Sequence, residues 1–401
     1  MGGGEDPTPR LRPKLAEALR MSLDELEFML TLTGRAEGDE NHRERGVGTV
    51  VVPADTKGDS VNRRELMALA GTALAGAIVS PAAVLQDLSL VLVDLAPALD
   101  PRANLSVTSL AEGLSRMKAA YQACQYQLVA TELPDLLNRA KAGGTYVVGD
   151  DRLQVAAIDS QLHHVPASVL LKLDGHALAS VAADRSMTAA HRSENPVMVA
   201  ASARIVSHTL MSAGQHKAAH HFAAAQAEAL EAELSDQTID SLSVYGALLL
   251  RGAVAAGMAQ DSSSARTLLD EAERAGARLD GPANHQWTAF CLDNVLAHHL
   301  AVEILLGNAG TAVENLQRIK LDNLGIAERK ATACIDATRA YTQSGKHDPA
   351  VTALLAAEQI SPAELRVRPV VRELVQQIRT AAPASVRGEL NALVDRVGIA
   401  A

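Results

Sequence analysis

Ser115-Arg116-Met117-Lys118 sets a hydroxyl and an amine three residues apart. At that spacing on a helix a lysine base can activate a serine nucleophile. Its companion motifs, Ser-Asp-Asn and Lys-Thr-Gly, do not occur in the chain, so the spacing is read as chance. The thirteen histidines include His216 and His220 at i, i+4 and the adjacent pairs His163-His164 and His298-His299. Two imidazoles one turn apart can share a metal, but a closed site needs about four ligands and an open one about three. No carboxylate or thiol stands at a matching offset and there is no His-Glu-x-x-His, so these residues are assigned to hydrogen bonding on polar helix faces. Gly2-Gly3-Gly4 and Gly143-Gly144 lack the following lysine motif and the preceding strand of a phosphate-cradling loop. Cys124, Cys291 and Cys334 lie far apart in apolar segments without a Cys-x-x-Cys, and are expected as reduced core residues of a cytoplasmic protein. No catalytic residue, metal site or cofactor is assigned, and the chain is not read as an enzyme.

The elements that must position any site are legible in composition. Of 401 residues 48% are hydrophobic, yet 3 Phe, 5 Tyr and 1 Trp supply nine rings in all. Burial must come from Ala, Leu, Val and Ile, which suits closely packed helices and argues against aromatic-cored sandwiches and base-stacking platforms. A net charge of −10 argues against a phosphate-binding surface spread over the whole molecule.

A repeating frame sets the architecture. Gly345 is followed five positions later by Ala350 and seven after that by Ala357. The frame recurs from Gly307 to Ala312, from Gln260 to Ala265 and Ala272, from Gly214 to Ala219 and, shifted, from Asp174 to Ala179. Two helices joined by a tight turn approach closely only where small residues sit at their crossing. The frame therefore predicts an all-α, right-handed α-α superhelix of the tetratricopeptide kind over 101–401, with 364–397 as a terminal cap. Ser361-Pro362-Ala363-Glu364 reads as a helix start in which Ser361 caps, Glu364 completes the box and Ile360 staples Leu365. From Asn195 to Ala213 the residues Val199, Ala203, Val206 and Leu210 share one helical face. Tyr146-Val147-Val148, bounded by glycines, is expected as a loop.

Upstream, residues 1–32 form a short helical stub, 33–61 a flexible linker poor in apolar periodicity, and 62–100 connector helices. Asn62-Arg63-Arg64-Glu65-Leu66 and the uncharged run after it resemble a twin-arginine export signal. Sixty-one residues precede the motif and the run is too short to span a bilayer, so a buried helix capped by Asn62 is preferred. The alternative is an exported helical-repeat binding protein that starts near Val61.

Asp336-Ala337-Thr338-Arg339-Ala340-Tyr341 with Gly345, Ala353 to Glu358, and Val367-Arg368-Pro369-Val370-Val371-Arg372-Glu373-Leu374 resemble a known family. It is that of Xre/Cro-type helix-turn-helix transcriptional regulators with a tetratricopeptide-like C-terminal region, of the high-GC bacterial type. Asn294-Val295 with His298 also fits the family pattern. The resemblance implies a cytoplasmic regulator whose repeat region senses a peptide or protein partner. Pro9 to Leu19 looks like the last part of the family's DNA-binding domain, so residues 1–32 are its remnant and the recognition helix is missing. DNA is then a partner only if an upstream domain is present. Arg10, Arg12 and Lys14 could touch phosphates without reading sequence.

A solenoid offers a concave groove lined by the first helix of each hairpin. The candidate ligand or partner residues are Arg204 with His208 at i, i+4, Tyr245, Asn294 with His298 at i, i+4, and Asp336 with Arg339 at i, i+3. Such side chains can bond the backbone of an extended peptide while apolar neighbours grip its side chains. The expected occupant is a peptide or protein, a second copy of the chain included; no membrane partner is expected.

Overall fold

Six tight turns, all built alike, convert the sequence frame into stacked helical hairpins. The computed structural model describes residues 106–233, 238–279, 281 and 284–399, with Leu88, Ser89 and Leu92. These belong to one compact unit, residues 79–401. Arg10, Arg12, Lys14, the twin-arginine motif and the segments expected as remnant, linker and connector lie outside the described residues, apart from Leu88, Ser89 and Leu92.

Fifteen α-helices follow one another, and no strand occurs among the described residues. The six hairpins are α1 (Val107–Gln122) with α2 (Tyr126–Tyr146), α3 (Asp150–Lys172) with α4 (His176–Arg192), α5 (Pro196–Ser212) with α6 (His216–Glu233), α7 (Ile239–Met258) with α8 (Ser262–Gly276), α9 (Leu292–Leu305) with α10 (Ala309–Leu316), and α11 (Ala327–Gln343) with α12 (His347–Ile360). Three further helices, α13 (Pro362–Val367), α14 (Pro369–Ala381) and α15 (Ala384–Val397), follow where a single cap was expected. Each helix packs chiefly on its neighbours in sequence, so the fold is an all-α helical-repeat superhelix.

The first helix of every hairpin ends on a residue with left-handed backbone: Cys124 (φ 60°), Asp174 (65°), Gly214 (77°), Gln260 (60°), Gly307 (78°) and Gly345 (69°). The next residue's N–H then bonds the carbonyl five positions back, at 2.8–2.9 Å in all six turns. This cap satisfies otherwise orphaned carbonyls and reverses the chain. Gly175 follows the left-handed position instead of occupying it, which is why the Asp174 frame looks shifted in sequence. Five residues past the turns, Ala179, Ala219, Ala265, Ala312 and Ala350 are all fully buried at the crossings.

On α5 the expected face is only partly covered. Ala203 is fully buried, but Val199, Val206 and Leu210 are half-buried, while Ile205 and Met211 on other faces are buried. The cause is that α5 is packed by α3, α4, α6 and α7 together. Asn195 starts this helix by accepting from the Val197 and Met198 N–H groups at 2.9 and 3.4 Å. Asn195→Ala is expected to cost about 1 kcal/mol in urea unfolding, the usual worth of such a cap; an unchanged midpoint would contradict that role.

Two local expectations need correction. Ser361 caps α13 by accepting from the Glu364 N–H at 3.3 Å, but the Glu364 side chain does not reach back to close a box. It bonds Lys172, Arg368 and Tyr126 instead. Gly143, Gly144 and Tyr146 are helical, so the loop begins only at Val147. Cys124, Cys291 and Cys334 are buried and not disulfide-bonded. Among the described residues α7 alone is long and apolar enough to cross a bilayer, and its Leu248, Ala253 and Ala256 are fully buried in the core.

The superhelix returns on itself. Ala327 of α11 and Ala363 and Val367 of α13 pack on the apolar cluster built by α1 to α4. α1 also packs directly on α11.

Candidate binding chamber

That return forms a half-open cavity of about 570 Å³. Its helical wall comes from the first helices of the hairpins, α1, α3, α5, α7, α9 and α11, with Arg368, Pro369 and Val370 closing one side; α2, α4, α6, α8, α10 and α12 contribute nothing. On α7 the lining residues Ala247, Leu250, Arg251, Val254 and Met258 recur at helical spacing, so one stripe of each inner helix faces inward.

The structure brings six of the seven candidate groove residues, Arg204, His208, Asn294, His298, Asp336 and Arg339, into this one wall. Tyr245 is not among them. It lies two residues before Ala247, on the other side of α7, and donates to Glu271 of α8 at 3.4 Å. Asn294 donates to the Ala289 carbonyl at 3.0 Å and His298 Nδ1 contacts the Asn294 carbonyl at 2.8 Å, so both are oriented by their own surroundings. Arg339 pairs with Asp336 at 3.2 Å.

The most densely bonded part of the wall ties the first turns of the superhelix to the last. Lys172 at the end of α3 donates to Glu328 of α11 at 2.6 Å and to Glu364 of α13 at 2.9 Å. Arg329 grips Glu328 at 2.5 and 2.6 Å, and Arg368 bonds Glu364 at 2.5 Å and Glu328 at 3.3 Å. Tyr126 of α2 also donates to Glu364. Both carboxylates are buried. Burial by itself raises a carboxyl, but Arg329, Lys172 and Arg368 outweigh it and hold Glu328 well below the usual range. Burial prevails at Glu364, which is raised.

Charge in the wall is lopsided. Seven cations, Lys118, Lys172, Arg204, Arg251, Arg329, Arg339 and Arg368, face three carboxylates, Asp174, Glu328 and Asp336. Lys118 is buried and donates to the neutral amide of Gln161, beside the Trp287 ring at 5.7 Å. Ser115 is exposed while Lys118 is buried, and no hydrogen bond joins them among the described residues. His298 is pushed down to about 3, by burial first. Burial, Lys118 and Arg204 lower His164, and burial, Arg251 and Arg204 lower His208. All three imidazoles are therefore neutral near pH 7. His163 and His164 are buried rather than solvated, with contacts to the Asp159 carbonyl at 2.9 Å and Ser202 Oγ at 3.1 Å. No group of three His, Cys, Asp or Glu side chains is placed to hold a metal among the described residues.

Residues 284–291 supply the remaining wall. Gln286 (φ 49°), Trp287 (59°) and Ala289 (55°) are all left-handed, a conformation that costs about 1–2 kcal/mol per non-glycine residue. Reciprocal amide bonds between Gln122 and Asn284, at 3.1 and 2.8 Å, fasten this segment to α1. Such strain persists only where packing enforces it, and it places the chain's single tryptophan in the wall.

Sequence reasoning passed over Lys172, Arg251, Glu328, Arg329, Glu364, Arg368 and Trp287 as site residues. A signal existed for one of them: Arg251 is the only charged residue of α7 after Asp240, in the middle of an apolar run. The others are set by contacts across the whole repeat region, which no local spacing encodes.

No protein-family model matches the chain, and neither a curated protein nor a solved structure does.

Proposed function

We propose that this protein is a non-enzymatic regulator whose helical-repeat region binds a short peptide, or a segment of a partner protein, in the inner chamber. The observation that carries the reading is the wall itself. Donors and acceptors from six successive inner helices converge with Leu250, Val254 and Leu305 on one half-open space. An extended peptide needs both kinds of contact, and the volume falls in the range of about 300–1,000 Å³ usual for small-ligand sites. Control of transcription, which the C-terminal motifs suggest, requires in addition a base-reading helix upstream of Pro9.

The test is to incubate the full chain with randomised pentapeptides, separate bound from free by size, and sequence what is retained. A recoverable consensus, with binding lost in Asn294→Ala or Trp287→Ala protein that melts as a folded domain, is the expected result. Retention of no peptide at millimolar concentration would remove the reading.

A further inference from the structure

Five of the seven cations in the chamber wall have a partner. Glu328 and Glu364 serve Lys172, Arg329 and Arg368, Asp336 serves Arg339, and Gln161 accepts from Lys118. Arg204 of α5 and Arg251 of α7 are different. Neither guanidinium makes an ion pair or hydrogen bond among the described residues, and the buried Nε of each is unpartnered. Both line the same wall as His208, close enough that each charge bears on it. Burial, and for Arg251 next the Arg204 charge, bring Arg204 down to about 10 and Arg251 to about 9, so both remain protonated near pH 7.

Two neighbouring guanidiniums with buried, unpartnered Nε atoms are costly to the fold, because no protein counter-charge replaces the hydration those atoms lose. An anion bound against both members would supply the missing counter-charge. A guanidinium's planar fork matches the two oxygens of a carboxylate or phosphate. The cavity's volume suits a small ligand, and a net charge of −10 for the chain makes this concentration of positive charge a local feature.

We propose that Arg204 and Arg251 form an oxyanion subsite that takes the carboxylate or phosphate group of a small acidic ligand, with Trp287, Val254 and Leu305 covering its apolar part. The assignment rests on the reading of the chamber as a ligand site. His208 and His164, both neutral near pH 7, line the same wall.

The experiment measures binding to the full chain by calorimetry with three probes: inorganic phosphate, a randomised pentapeptide mixture with free C-terminal carboxylates, and the same mixture amidated. Arg204→Gln and Arg251→Gln are compared with Arg396→Gln, since Arg396 is exposed and pairs with Glu358 outside the chamber. Affinity for phosphate or for the free-acid peptides is expected to fall at least tenfold in both chamber variants and to hold in Arg396→Gln. The empty chamber variants should melt about 2–4 °C higher than wild type, as expected when an unpaired charge is removed. Amidated peptides that bind as tightly as the acids, with Arg251→Gln within twofold of wild type, would overturn the subsite while leaving the peptide reading intact. Phosphate bound and lost in the variants, with neither peptide mixture retained, would support the subsite and remove the peptide reading. Failure of both phosphate and the acids to bind would overturn the subsite.

Discussion

Glu328→Gln is expected to destabilise the repeat region by about 3–5 kcal/mol, the usual consequence of removing one partner from a buried charge cluster. The carboxylate is 2% exposed and accepts from Lys172, Arg329 and Arg368. Its loss removes the carboxylate partner of Arg329 and leaves Lys172 and Arg368 with Glu364 alone. The midpoint of urea unfolding measures the effect, and a midpoint unchanged from wild type would refute it. Arg396→Gln, which breaks the exposed pair with Glu358, should leave the midpoint near that of wild type.

The same cluster fixes the direction of pH dependence. Glu328 is depressed in the fold, so its stabilisation is present above the unfolded carboxyl value of about 4.3 and is lost as pH falls through the lower folded value. Lys172 is lowered to about 7, by burial first and then by the Arg368 charge. Between about pH 7 and 10.4 Lys172 therefore binds more protons in the unfolded chain than in the fold, and its contribution to stability rises with pH across that window. Lys172→Met should flatten the rise. A wild-type protein no more stable at pH 9 than at pH 7 would contradict this account.

Phe290→Ala is expected to cost about 3–5 kcal/mol, the range for deleting a buried ring. Phe290 is fully buried, directly before α9, and its ring lies over α7 where Gly246 has no side chain. A Cβ at position 246 would sit 1.9 Å from the Phe290 ring, so Gly246→Ala forces the ring out and should cost about 1–3 kcal/mol or more. The two effects are coupled. Gly246→Ala combined with Phe290→Leu should lose less stability than the sum of the single changes, because the smaller side chain makes room for the methyl group. Additive losses in a double-mutant cycle would show that the contact does not govern the packing. Through residues 284–291 this contact also anchors the chamber wall that carries Trp287.

How far the sequence alone reached depends on the range of the interaction. The hairpin turns at Gly214, Gly307 and Gly345, and the alanines five residues beyond, were legible because left-handed caps and close helix crossings restrict residue type within a few positions. Cys124 was harder to recognise as a turn, since a left-handed cysteine carries no compositional mark. Arg204, His208, Asn294, His298, Asp336 and Arg339 were found from the inward stripe of the first helices, whereas Tyr245 was misplaced by about half a turn of α7. Glu364 shows the limit. Its spacing from Ser361 looked like a capping box, a local pattern, yet its side chain is claimed by Lys172, 192 residues away in sequence.

That separation has a kinetic meaning. Hairpin contacts are local and form early, while the pairs Lys172–Glu328, Lys172–Glu364 and Tyr126–Glu364 span 156, 192 and 238 residues and must close the longest loops. Amides around Glu328 and Glu364 should accordingly gain protection last in pulsed hydrogen exchange during refolding; early protection there would contradict this order. During synthesis, domains acquire structure from the N-terminal end as the chain emerges. Arg204 and Arg251 are synthesised before Arg368, so the part of the wall that holds the two guanidiniums is made before the residues that complete it. If the long-range pairs close last, a ligand taken up by the proposed subsite meets a finished domain and not a nascent one.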